Sequence, residues 1–178
     1  HLSIRRQRQM CIRDRGNGVK IHSDLVFTAW DILQGKKFVG ERVVIVGGGQ
    51  VGCETADFLL EQGKKVTILE MLAKPAADMS ERARKILLDK LIRSGVDIIT
   101  QALVTEISDS EIRLARAGLK EKIKDFDQVV LALGTVPENN LLKKIGKVNV
   151  PVFSIGDCAS PRKAMEAIRE GFDLALEI

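Results

Sequence analysis

The sequence predicts an α/β fold: a parallel sheet flanked by helices, with an antiparallel β-meander as an excursion from it. Three observations predict this. Arg42–Val46, Lys65–Glu70 and Gln128–Leu133 are short runs rich in β-branched and other apolar residues, apolar on consecutive positions as strands covered on both faces must be. Between the first two, a glycine turn opens into a helical segment, Val51–Gln62, closed by Gly63, which makes a βαβ unit. Residues 102–124 then change to short, partly alternating runs separated by Ser108-Asp109 and Gly118, the signature of antiparallel strands joined by turns.

Taken in order, residues 1–15 form an arm with neither helical nor strand periodicity. Its run Met10-Cys11-Ile12-Arg13-Asp14 resembles a translation of the transposon mosaic end used in sequencing libraries, so the arm is expected to be adapter-derived. Finding it encoded at the genomic locus would refute that. Ser23–Leu33 reads as a short helix capped by Ser23 or Asp24 and ended by Gly35. Ser80 caps a strongly amphipathic helix to Arg93, with Ala83, Ile86, Leu87 and Leu91 as its apolar stripe and Gly95 as its stop. Val96–Ile99 is a third parallel strand, and Ala102–Ile107, Glu111–Ala115 and Glu121–Lys124 are the meander. A polar loop with Pro137 and Asn139-Asn140 leads to a short strand, Val152–Ile155, and a terminal helix, Lys163–Ile178. The expected boundaries are therefore an arm (1–15), a helical lead-in (16–38), a nucleotide-binding domain (39–150) and a C-terminal piece (151–178).

Composition excludes several classes. With 45% hydrophobic and 29% charged residues the chain is neither disordered nor membrane-embedded, and no apolar run approaches the roughly 20 residues of a spanning helix. The net charge of +4 lies wholly in the arm, where five arginines face one aspartate, so the body offers no basic field for nucleic acid. Cys11, Cys53 and Cys158 form no C-x-x-C pair and no zinc spacing with the two histidines, which points to a reduced, cytoplasmic protein without a metal.

The chemistry resides in Gly47-x-Gly49-x-x-Gly52, placed where a buried strand ends and a helix begins. Gly47 permits the tight turn, Gly49 lets a phosphate approach the backbone without meeting a Cβ, and Gly52 lets the helix lie close to the strand. Amides around Gln50 and Val51, at the positive end of the helix dipole, then face a pyrophosphate. The next strand ends in Glu70, eighteen residues beyond Gly52. A carboxylate there accepts from both ribose hydroxyls of adenosine and repels the extra phosphate of NADP; Lys74 is the only nearby cation. NAD(H) is the expected ligand of this Rossmann-like unit.

Two further stretches carry a family resemblance. VFSIGDCASPRKAMEAIREG, Val152–Gly171, resembles the closing FAD motif of two-dinucleotide flavoprotein reductases, and DQVVLALGTVPENN, Asp127–Asn140, is similar to the strand and Ala-x-Gly turn that close their nicotinamide domain. Together with TAWDILQGK and VVIVGGGQVGCETADFL, they most resemble the C-terminal part of the Old Yellow Enzyme-like NADH:flavin oxidoreductases, which include 2,4-dienoyl-CoA and 2-enoate reductases. The resemblance covers about residues 19–178. It implies that residues 151–178 are the last strand and helix of an FAD-binding domain. Asp157, after Gly156, would bind a ribitol hydroxyl, and the helix from Lys163 would present the amides of Ala164 and Met165 near the flavin or its phosphates. It further implies that Ala132 and Gly134 form the Ala-x-Gly turn. Full-length relatives carry an N-terminal FMN-binding barrel with an iron–sulfur cluster and a first FAD glycine motif. This sequence has one G-x-G-x-x-G and no cysteine cluster, so it is expected to supply the electron-input end, passing hydride from NADH to FAD in a parent enzyme that reduces activated C=C bonds.

Glu54, one turn into the helix, either reaches the nicotinamide side, as similar glutamates do, or is an exposed helical carboxylate. Cys53 reads as a small packing residue. No side chain is needed as general acid or base, because hydride transfer is the cofactors' own chemistry. A stand-alone NAD-sensing module is the other reading of the glycine turn and Glu70; it gives no reason for Gly156-Asp157 or Gly134.

Overall fold

The computed structural model describes residues 18–145 and 149–178, with the backbone of residues 11–13. Residues 1–10 and 14–15 of the arm lie outside the described residues. The chain forms two units, a larger one over Arg15–Gly134 and a smaller one built on Thr135–Ile178; strand β1 (Cys11–Arg13) belongs to the smaller.

The larger unit opens with β2 (Lys20–His22) and β3 (Val26–Thr28), followed by helix α1 (Ala29–Leu33). The single helix expected over Ser23–Leu33 is thus a strand that hands over to a helix. Two causes act, one long-range and one local. Val26–Thr28 pairs in parallel with the later strand at Val129–Leu131. Thr28 and Asp31 then form a reciprocal capping box, Asp31 N–H donating to Thr28 Oγ1 (3.2 Å) and Thr28 N–H to Asp31 Oδ2 (3.1 Å), which starts the helix at Ala29.

The βαβ unit follows as read: β4 (Arg42–Val46), α2 (Gln50–Glu61) and β5 (Lys65–Leu69), then α3 (Glu81–Arg93) and β6 (Asp97–Ile99). The meander is β7 (Ala102–Ser108), β8 (Ile112–Arg116) and β9 (Leu119–Ile123), and β10 (Gln128–Leu131) returns to the first sheet. That sheet has five strands in the order β3-β10-β4-β5-β6, all parallel. The meander forms a separate four-stranded sheet, β2-β7-β8-β9, in which β2 adds in parallel to the edge of β7.

The consecutive apolar positions are explained by two cores. Val43 and Ile45 of β4 and Val130 of β10 point to the helices, where they meet Cys53, Ala56, Leu59 and Leu91. Val44, Val46, Val129 and Leu131 point the other way, onto Val104, Ile107, Ile112 and Leu114 of the meander. Each central strand is therefore buried on both faces, and a polar residue on either would lose its hydration without a partner. On α3 Leu91 is buried and Leu87 and Leu88 are half-buried against the core, whereas Ala83 and Ile86 are exposed, Ile86 by 63%. Of the expected stripe, Leu87 and Leu91 meet the core and Ala83 and Ile86 do not, because the helix meets the core through its C-terminal half.

In the smaller unit β11 (Thr135–Pro137) pairs antiparallel with Cys11–Arg13, so part of the arm read as lacking periodicity is a strand. Helix α4 (Asn140–Ile145) replaces the expected polar loop. Val152–Ile155 is not a strand: among the described residues nothing pairs with it, and an unpaired extended segment keeps no ladder. Gly156–Cys158 is a single 3-10 turn, and α5 (Ala164–Glu177) closes the chain. No helix among the described residues is long and apolar enough to cross a membrane.

The entry to β4 is fixed electrostatically. Asp127 accepts from the N–H groups of Glu41 (2.9 Å) and Arg42 (2.8 Å) and from the Arg42 guanidinium (2.9 Å), locking β4 and β10 in register at their N-terminal ends. The side-chain hydrogen bond from Arg42, first, and the backbone N–H bonds hold the Asp127 carboxyl below the usual carboxylate range. A carboxyl depressed in the folded state stabilises it above the unfolded-state value and ceases to do so as pH falls through the folded value. Asp127→Asn should therefore lower Tm by a constant amount from pH 7 down to about pH 5, and the gap should close below about pH 4. Thermal unfolding of both chains across that range checks it; a gap that widens in acid would contradict the assignment.

Candidate functional site

Gly47–Gly52 runs from the end of β4 into the first turn of α2, on the C-terminal edge of the parallel sheet, where open α/β sheets place their ligands. Its shape follows from what a side chain would meet. Gly47 has φ +103°, and a Cβ there would lie 2.4 Å from the Ala132 carbonyl oxygen. A Cβ on Gly52 would fall 1.9 Å from the Gly47 carbonyl oxygen and 3.4 Å from Ala132 Cβ. The first turn of α2 thus rests directly on the turn that precedes it, with Ala132 as the floor of both. Gly49, by contrast, is the helix N-cap at φ −71°, with no backbone within reach of a Cβ. Gly47 and Gly52 are dictated by packing, whereas packing leaves Gly49 free to carry a methyl.

Gly48 was not singled out from the sequence, yet a Cβ on it would lie 2.9 Å from Glu70 Cβ and 3.0 Å from Ile68 Cγ2. The unbroken Gly47-Gly48-Gly49 run was the available signal. Glu70 stands at the end of β5 as expected, but it is buried and already partnered. Its Oε2 accepts from Gly48 N–H (2.6 Å) and its Oε1 from Leu72 N–H (2.7 Å). The carboxylate therefore shapes the glycine turn from behind, and each oxygen keeps lone-pair capacity for a further donor.

The amide of Gln50 is not open. It donates to Asp78 Oδ1 at 2.9 Å, from the β5–α3 loop. Asp78 had no local signal in the sequence, since a lone aspartate in a loop reveals nothing of a helix start 28 residues earlier. The loop is pinned by Ala76, which is buried, has φ +49° and donates its N–H to Gly48 O (2.6 Å). Val51 follows on the exposed side of α2, and Glu54 accepts from Gln50 Nε2 (2.9 Å) at the surface. Gly134 (φ +97°) is exposed, at the end of the Ala132–Gly134 turn.

The remaining predicted residues belong to the smaller unit. Gly156 (φ +65°) donates its N–H to Glu170 Oε2 (2.6 Å), and Glu170 also pairs with Arg162. Asp157 Oδ1 accepts from Arg162 N–H (3.3 Å), and Ala164 and Met165 open α5 with exposed side chains. Among the described residues, no group of three His, Cys, Asp or Glu is placed to hold a metal.

Cys53 is fully buried beneath the turn, its Sγ 3.4 Å from the Gly48 carbonyl. Burial first, then the carboxylates of Asp78, Glu70 and Glu54, push its thiol up to about 12. It is a packing residue with no thiolate at neutral pH. Iodoacetamide at pH 8 should leave Cys53 unmodified in the folded chain and alkylate it in denaturant, as peptide mass spectrometry would read; rapid labelling of the folded protein would overturn this.

Known proteins are similar to this chain in sequence and fold. The family described as pyridine nucleotide-disulphide oxidoreductase matches residues 16–171. The NADH oxidase of Thermoanaerobacter brockii is 39% identical over 173 residues, covering 94% of this chain and 26% of its own. The cinnamate reductase of Clostridium sporogenes is 32% identical over 160 residues, covering 88% of this chain and 24% of its own. The solved structure of a 2-naphthoyl-CoA reductase in complex with 2-naphthoyl-CoA superposes with a TM-score of 0.80 at 31% identity, over 94% of this chain and 26% of that one. Histamine dehydrogenase from Rhizobium sp. 4-9 shares the fold, with a TM-score of 0.75 at 22% identity over 96% of this chain and 30% of that one. The chain thus spans about a quarter of the length of the curated relatives it matches. The names of these curated relatives are those of oxidoreductases, and the chain matches only part of each. On the match over residues 16–171, the chain belongs to the pyridine nucleotide-disulphide oxidoreductase family, which implies binding of NAD(P)H and FAD.

Proposed function

We propose that the larger unit binds NADH at Gly47–Gly52, as the electron-input module of a longer flavin-dependent oxidoreductase. One observation carries this reading: the turn is built so that a side chain is impossible at Gly47 and Gly52 but merely absent at Gly49. Packing needs the first two glycines. The third keeps clear the approach to the amides at the start of a twelve-residue helix, where an anionic diphosphate is stabilised by N–H donors and the helix dipole. Val51 and Gly52 follow in that first turn, Ala132 borders it, and Gly134 lies two residues beyond Ala132. Glu70 holds the adenosine end, its charge favouring a free ribose 2′-hydroxyl over a 2′-phosphate. Glu54 is exposed one turn along α2, which leaves it accessible to a nicotinamide extending from the turn.

Hydride transfer between nicotinamide and flavin is chemistry that the two cofactors supply when bound. The chain's own contribution is position and electrostatics. The smaller unit supports an FAD contact in part: Asp157 and the start of α5, with Ala164 and Met165, offer a carboxylate and a helix N-terminus to a ribitol and a phosphate. Met165, Ile168, Phe172 and Leu176 leave an apolar face of α5 exposed, which the rest of an FAD domain would cover in the longer enzyme. The parent enzyme's substrate is proposed to be an activated C=C bond, as the names cinnamate reductase and 2-naphthoyl-CoA reductase suggest for the relatives.

Gly49→Ala separates folding from binding. Its melting temperature should stay within a few degrees of the parent, because a Cβ there meets nothing closer than 3.6 Å, while NADH affinity should fall by tenfold or more (~1.4 kcal/mol). Gly52→Ala should destabilise the fold itself, by more than ~2 kcal/mol, since backbone must move. Calorimetric titration and thermal unfolding check both; unchanged NADH affinity in Gly49→Ala would sink the reading. In the same titration NADH should bind more tightly than NADPH, and Glu70→Ala should narrow the difference. Tighter NADPH binding by the unsubstituted chain would reverse the assigned preference.

A further inference from the structure

We propose that Asp78 is an internal anion occupying the diphosphate seat, and that it sets the affinity of the site by having to leave before a dinucleotide can bind. The proposal rests on the preceding reading of Gly47–Gly52 as a dinucleotide site. The Asp78 carboxylate accepts from Gln50 N–H at 2.9 Å, and both of its oxygens lie 3.6 Å from where a Cβ on Gly49 would be. That is the position a diphosphate needs: directly before the first amides of α2, over the glycine that lacks a side chain. Two anions cannot share one set of donors.

The contact has a reason to form in the free protein. Gly49, as N-cap, offers no side-chain acceptor, so the first N–H groups of α2 would face only water. A carboxylate supplied by another segment satisfies one of them and meets the helix dipole with the right sign. The contact also has a way to break. Ala76 anchors the loop through its N–H bond to Gly48 O and its buried methyl, so the backbone beside the turn stays in place. Asp78 lies two residues further on, at the exposed surface, where rotation about its own side-chain bonds carries the carboxylate into water. A ligand that binds only the rotated state loses the fraction of its affinity spent on displacing Asp78, and removing that carboxylate restores it.

The test is NADH titration of the full 178-residue chain, Asp78→Ala and Asp78→Asn, together with thermal unfolding of each without ligand. Without ligand, Asp78→Ala should melt below the parent because the helix start loses its acceptor. It should nevertheless bind NADH on the order of tenfold more tightly. Asp78→Asn keeps an acceptor oxygen without the charge and should fall between. If Asp78→Ala does not fold, the Asn variant carries the comparison, and tighter binding by it supports the proposal. Equal or weaker NADH binding by the variants, with clear binding by the parent, overturns the proposal and leaves the dinucleotide site standing. NADH binding to none of the three chains overturns both.

Discussion

The structure depends on one close approach, that of the first turn of α2 to the end of β4. At Gly52 the helix backbone lies against the carbonyl of Gly47, at a distance that any Cβ would violate, and Ala132, just after β10, fills the space beneath. This contact aims the helix N-terminus at the C-terminal edge of the sheet. It also brings together two glycine-containing turns from segments some eighty residues apart, Gly47–Gly52 and Ala132–Gly134. The sheet supplies the rigidity. β4 and β10 are neighbours in register, each covered by helices on one face and by the meander on the other, so the turn between β4 and α2 is held by two cores at once.

Charge is organised around the same point. Glu70 reaches the turn from behind, Asp78 from in front, and Glu54 stands one turn along the helix. Three carboxylates around a helix start are consistent with its positive dipole. For an anionic ligand, however, they do not act alike. Glu70 is buried and bonded to Gly48 and Leu72 amides, which makes it a fixed part of the site. Asp78 is exposed and bonded to the Gln50 amide, one of those that a phosphate would use. Affinity is then a balance between a preformed cradle and its own side chain, which a search for glycine motifs does not reveal.

How much of this was legible in the sequence follows from which interactions are local. The three central strands were readable because burial on both faces leaves a run of apolar residues, and the glycine turn because its spacing and its place between strand and helix are one local pattern. Val26–Thr28 was misread as helix because its strand character comes from pairing with Val129–Leu131, a hundred residues on. Val152–Ile155 failed in the opposite sense: its composition is that of a strand, but a strand exists only with a neighbour. The stripe expected on α3 is too long, because only packing shows which end of an amphipathic helix meets the core. Glu70 is singled out by its offset from the glycines, while its bonds to Gly48 and Leu72 depend on the chain's path after β5. Asp78 was invisible for the same reason.

The central claim, that the backbone amides at the start of α2 receive an anionic dinucleotide, is tested most directly by following the amide resonances of the isotopically labelled chain as NADH is added. The account predicts that the largest shifts fall on Gly48–Gly52, with smaller ones at Glu70, Asp78 and Ala132–Gly134. Shifts confined to other parts of the fold, or none at saturating NADH, would contradict it.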